Sequence, residues 1–177
     1  MRAIRRSAIP AVMLLLVTVI SPAAEQQSAS MVYTVHVPPR MLIAAPSGME
    51  SLTHSGTDAD QVFATQRWTI DQNSPAGAVV TFNTEDAFTS TMTPSLKRDA
   101  RLDLVIGSAE SNSGWTVSLP SDQTNYASAS EVAKVQASST APGSAAFDLT
   151  VTFLTGDIVT LASGDYMTTV TGTITAN

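Results

Sequence analysis

The sequence contains no cysteine, only two histidines and no helix-period stretch longer than a turn, and just 14% of its 177 residues are charged. Without cysteine there is no disulfide framework, so stability must come from burial and the backbone hydrogen-bond ladder. The histidines, His36 and His54, lack a second ligand at metal spacing, which argues for surface positions and no metal or cofactor. Gly-x-Ser-x-Gly, a Ser/His/Asp arrangement and a phosphate loop are all absent. The chain therefore reads as a non-enzyme.

The one strongly apolar run lies at the start. Arg2, Arg5 and Arg6 form a basic region, Ile9 to Ile20 an apolar core, and Ser21-Pro-Ala-Ala24 a set of small residues suited to cleavage after Ala23 or Ala24. The run is shorter than the about 20 residues that span a bilayer, so residues 1–24 read as a signal peptide. No later segment is apolar enough to span, and the cleavage region has no cysteine for a lipoprotein anchor. Export to the periplasm, cell surface or extracellular space is expected. Removing the three arginines leaves six basic against fifteen acidic residues, a net charge near −9. Such a surface favours solubility and disfavours nucleic acid. Residues 25–30 read as a flexible mature N-terminus and 31–177 as a single domain.

Period-two alternation runs through that domain. Tyr166, Val170, Ile174 and Ala176 fall on one face of the last stretch, and Met167, Thr169, Thr171, Thr173 and Thr175 on the other. β-branched residues fill most of it, as a half-buried strand requires. Alternation also predicts strands over 31–37, 62–70, 78–82, 102–106, 115–119, 132–137 and 146–154, with 41–45 undecided. Pro38-Pro39 stops the first of these. The Asn73 to Gly77 turn joins 62–70 to 78–82 as a hairpin or a sandwich corner. The stretches 50–60, 85–100 and 120–130 read as loops, the second with room for one helical turn around Asp86 to Phe88. Together these patterns predict an all-β fold, a single antiparallel immunoglobulin-like β-sandwich of about 7–9 strands.

Candidate chemistry is sparse. Trp68, Trp115 and Tyr126 could stack on a sugar ring, but both tryptophans lie on apolar strand faces and favour core packing, which leaves Tyr126 in its polar loop as the exposed candidate. Asp58, Asp60 and Asp71 lack the alternating oxygen pattern of a calcium loop. Glu85 and Asp86 are adjacent on extended chain and point apart. Lys97, Arg98 and Arg101 form the one basic cluster and read as solvated. Leu161-x-x-Gly164-x-Tyr166 before the last strand resembles the tyrosine corner of immunoglobulin-like sandwiches, in which a tyrosine hydroxyl folds back onto upstream backbone. That role is structural.

Gly114-Trp115-Thr116-Val117 is similar to the first tryptophan motif of the bacterial WxL cell-wall-binding domains. The chain departs from that family in carrying Val117 where the motif has leucine, and Gly172-Thr173-Ile174 where a second tryptophan motif would stand. Residues 101–177 also look like the spore-coat-U and pilin-like subunits, although cysteines frequent in those are absent. The resemblance implies a bacterial surface sandwich and carries no peptidoglycan binding with it. Two functions are expected from different classes. One is a structural or adhesive protein of the cell envelope, a subunit that meets itself or another subunit through an edge strand. The other is a module that binds a surface polysaccharide or other ligand through loops at one end. An immunoglobulin-like sandwich places one more strand beside the one that Tyr166 opens. The strand at 31–37 is the expected cover, a strand from another chain the alternative.

Overall fold

Alternation becomes burial in the computed structural model, which describes residues 27–177. In the strand Ala78–Thr84 every second residue is buried, namely Ala78, Val80, Phe82 and Thr84. The signal peptide read at residues 1–24 lies outside the described residues. Residues 27–36 carry no strand or helix, and Val37–Asn177 form a unit of their own.

The strands are β1 (Met41–Ala44), β2 (Gln61–Val62), β3 (Gln66–Gln72), β4 (Ala78–Thr84), β5 (Phe88–Ser90), β6 (Lys97–Arg98), β7 (Ala100–Ala109), β8 (Thr116–Leu119), β9 (Ser121–Gln123), β10 (Lys134–Ser138), β11 (Gly143–Phe153), β12 (Tyr166–Met167) and β13 (Val170–Ala176). All pair antiparallel. One sheet runs β1-β3-β11-β7-β9, with β2 also on β11; a second runs β13-β4-β10-β8; a small third runs β12-β5-β6. The turn at Asn73 to Gly77 passes from the first sheet to the second, so it is a sandwich corner and not a hairpin.

The first two sheets share one core. Trp68, Ile70, Leu102, Leu104, Phe147 and Leu149 come from the first, and Val80, Phe82, Val135 and Ala137 from the second. Phe147, at the centre of β11, stands beside Trp68 on β3 and Ile106 on β7. Its ring meets Trp115 edge-on at 5.3 Å and Phe82 at 6.3 Å. Aromatic quadrupoles favour such tilted contacts over flat sandwiches. A second cluster, around Phe88, Ala100 and Phe153, fills one end beneath the third sheet.

Several expected elements take another form. The stretch 62–70 divides at Phe63 to Thr65 into β2 and β3. The loop 85–100 contains β5 and β6, and the loop 120–130 contains β9 and a 3-10 turn at Tyr126–Ser128. These short pieces raise the strand count above the 7–9 expected. The terminal stretch also divides, because Tyr166 pairs with Ser90 of the third sheet whereas Val170 pairs with Thr84 of the second. Thr168, between them, donates its hydroxyl to the Asp86 carbonyl at 2.7 Å. The largest departure is at 31–37, which forms no strand. Met31, Tyr33, Val35 and Val37 are 71–85% exposed.

Candidate functional site

Edge strands offer unpaired backbone groups to another chain, and proteins blunt them with charge, proline, bulges or brevity. Three of the edges here are blunted. β1 has four residues between Arg40, ion-paired to Asp71 at 2.6 Å, and Pro46. β9 has three residues and carries Asp122. β8 has four, follows a positive-φ Gly114, ends at Pro120 and pairs through a register shift opposite Gln136 and Ala137.

β13 is different. Its seven residues, Val-Thr-Gly-Thr-Ile-Thr-Ala, hold an unbroken register with β4 and contain no charge or proline. Antiparallel ladders alternate hydrogen-bonded and non-bonded pairs. The Glu85 N–H donates to the Thr169 carbonyl at 2.8 Å, and the Asn177 N–H to the Gly77 carbonyl at 3.2 Å. Odd-numbered residues therefore bond to β4, and the N–H and C=O groups of Val170, Gly172, Ile174 and Ala176 point to the free edge. Among the described residues β13 pairs with β4 alone.

The side chains beneath that edge are also incompletely covered. Val170 and Ile174 of β13, with Met41 and Ile43 of β1, are half-buried against the core. Gly172 sits between them because a Cβ there would come within 2.7 Å of Ile43 and 2.9 Å of the Trp68 ring. This flank thus joins free backbone groups to an unfinished apolar surface.

The motif residues before β13 hold its approach. The Tyr166 hydroxyl donates to the Ala162 carbonyl at 3.2 Å, and its ring meets Phe153 edge-on at 5.7 Å. Leu161 packs on the same cluster, and Gly164 adopts φ +137°, a region that favours glycine. The backbone is fixed there before it enters the second sheet.

The sugar-stacking candidates do not come together. Trp68 is 9% and Trp115 7% exposed, both inside the main core. Tyr126 is half-buried on its 3-10 turn, whose backbone N–H donates to Asp99 at 2.8 Å. It lines a cleft of about 190 Å³ with Arg98, Thr155 and Thr160. That is below the roughly 300–1,000 Å³ of ordinary ligand sites. A wider depression of about 610 Å³, between Leu42, Asp71, Glu110 and Ala146, has no aromatic residue in its lining.

The polar candidates are occupied in holding loops. His54 accepts the Gly56 N–H on Nδ1 at 3.0 Å, which leaves Nε2 to donate to the Thr155 hydroxyl at 2.9 Å. Asp60 accepts the Thr155 N–H and Asp58 the Ile158 N–H, so the 50–60 loop is tied to 155–158. Asp71 lies elsewhere, on Arg40, and these three carboxylates form no common site. His36 is exposed and on no strand.

The basic cluster is not free either. Lys97 lies between Asp86, at 2.9 Å, and Glu131; both partners raise its pKa, Glu131 most. Burial pushes the Asp86 carboxyl up, but the hydrogen bonds it accepts from the Lys97 ammonium and the Ala87 N–H help to hold it below its ordinary value. Arg98 donates to Thr155 and Thr160, and Arg101 pairs with Asp103 at 3.1 Å. No helix among the described residues is long and apolar enough to cross a membrane. Comparison with known proteins gives no match to any family model and none to a curated protein. The unblunted β13 edge is the feature that sequence reasoning pointed to without locating its groups. Their direction depends on the pairing with β4.

Proposed function

We propose that the protein is an exported, non-catalytic structural or adhesive subunit of a bacterial envelope or extracellular-matrix assembly. It is built as an immunoglobulin-like sandwich that accepts a strand from another chain at β13. The strand order supports the sandwich reading. β1, β3, β11 and β7 follow the order that A, B, E and D take in an immunoglobulin-like sheet, and β4 and β13 take the places of C and F. The tyrosine corner before F has its counterpart in Tyr166. The place of G, beside F, falls on the free edge.

One observation carries the assembly reading: a seven-residue edge without charge, proline or bulge, above half-buried Val170 and Ile174. Addition of a strand there supplies backbone bonds and completes the burial. Amide-resolved hydrogen exchange with light scattering over a concentration series tests it. The amides of Val170, Gly172, Ile174 and Ala176 are expected to exchange fast in dilute protein and slow as mass rises. A protein that stays monomeric while those four amides remain fast would sink the reading.

A further inference from the structure

We infer that the strand received by β13 is β13 of a second copy, laid antiparallel about a two-fold axis through Thr173. The inference rests on the reading of β13 as an assembly edge and names its occupant. It stands on the self-complementarity of the strand. The backbone groups that point away from β4 belong to Val170, Gly172, Ile174 and Ala176, because the odd-numbered residues bond to β4. In an antiparallel pair centred on Thr173, Val170 faces Ala176 of the second copy and Gly172 faces its Ile174. Every free group of those four residues then finds a partner, in about eight backbone hydrogen bonds. A register displaced by one such pair leaves Val170 or Ala176 beyond the end of the other strand. An odd register opposes the free groups to groups already bonded to β4, and apolar residues to threonines.

The side chains agree with the centred register on both faces. Outward, Thr171 meets Thr175 and Thr173 meets its own counterpart, and threonine pairs across strands are favourable. Inward, each pair sets a large residue beside a small one, Val170 by Ala176 and Ile174 by Gly172. A Cβ at Gly172 would crowd Ile43 and Trp68, so the incoming isoleucine meets no side chain at that position. The two copies of Val170 and Ile174, half-buried in the single chain, come together beside Met41 and Ile43. Like charges directly opposite one another are the ordinary obstacle to a symmetric pair. β13 carries no charge, although the chain as a whole is acidic. A two-fold contact of this kind is isologous and closes at two copies, joining the two four-stranded sheets into one.

Cysteine replacement tests the register, because the native chain has no cysteine. At the axis the two Thr173 residues form a non-hydrogen-bonded pair, with Cα atoms about 4.5 Å apart and within disulfide reach. The full chain, exported and purified, is expected to give a linked dimer and nothing larger on a non-reducing gel when it carries Thr173→Cys. Thr171→Cys, which would stand about 14 Å from its own image, is expected to stay unlinked alone and to link when mixed with Thr175→Cys. Thr173→Lys and Thr173→Glu, both on the exposed face, are each expected to halve the mass seen by light scattering where the parent is dimeric. A mixture of the two is expected to restore it. A parent that assembles and protects its β13 amides, yet gives no Thr173→Cys dimer and keeps its mass as Thr173→Lys, would overturn the self-pairing and leave the β13 edge to another chain. A parent that stays monomeric with those amides fast would overturn both.

Discussion

Phe147 offers the clearest measure of the shared core. It is fully buried at the middle of β11, and its ring touches Trp115 from the second-sheet side and lies near Phe82. Replacement by alanine removes the whole ring from the junction of two sheets whose neighbours are themselves packed. Phe→Ala at such sites costs about 3–5 kcal/mol. Phe147→Leu, which nearly conserves volume, should cost less than about 1.5 kcal/mol. A domain of this size is stable by about 5–15 kcal/mol, so the alanine variant loses a large part of its margin. Its melting temperature should fall by roughly 10 °C, at about 2–4 °C per kcal/mol. Urea unfolding followed by fluorescence suits the measurement, because both tryptophans, Trp68 and Trp115, are in this core. An alanine variant within about 1 kcal/mol of the parent would refute the shared core, since a ring held by both sheets cannot be lost that cheaply.

Two further outcomes are expected from local geometry. Asp148 receives two hydrogen bonds from Arg67, at 2.7 and 2.8 Å, and these hold its carboxyl below the usual carboxylate range. A depressed folded pKa contributes stability that is present above the unfolded value, about 3.9, and is lost as pH falls through the folded value. Asp148→Asn should therefore lower stability at neutral pH, and its difference from the parent should shrink below about pH 4 in acid titrations; a difference constant from about pH 7 to about pH 2 would refute the pairing. Gly77 turns the corner between β3 and β4 at φ +81°, with a Cβ position 2.1 Å from the Ser139 carbonyl oxygen. Gly77→Ala should cost well over the about 1–2 kcal/mol of left-handed strain alone. Gly156→Ala, at φ +63° with nothing within 4 Å, should cost only that strain. Equal urea midpoints for the two variants would contradict the clash.

Legibility in the sequence depended on how local the determinant was. β4 and β11 were readable because their alternation is enforced by a buried face on the same strand. β5 and β6 were not, since strands of three and two residues exist only through Tyr166, Met167 and each other. The division of the terminal stretch was equally hidden. No glycine or proline marks a break at Thr168 and Thr169, and the change of sheet is set by distant partners, Ser90, Asp86 and Thr84. Tyr166 and Leu161 could be singled out because a corner is a short motif. The outward direction of the Gly172 and Ile174 backbone could not, because it is set by pairing with β4. At 31–37 the same alternation misled. It reports a face able to be buried and says nothing of whether the partner lies in the same chain.

That ambiguity has an energetic side. Fixing a backbone residue costs about 1–2 kcal/mol, whereas a backbone hydrogen bond returns about 0.5–1.5 kcal/mol net. A seven-residue segment laid on β13 would use only its inward-facing N–H and C=O groups, about half of the total. The ladder alone would therefore leave the added strand unstable. Burial must make up the difference, at about 1.5–3 kcal/mol for each large side chain taken fully out of water. The half-buried Met41, Ile43, Val170 and Ile174 are the surface able to receive apolar side chains from an added strand. The decisive positions are Val170 and Ile174, where a charge would have to be buried with no partner once a strand is added.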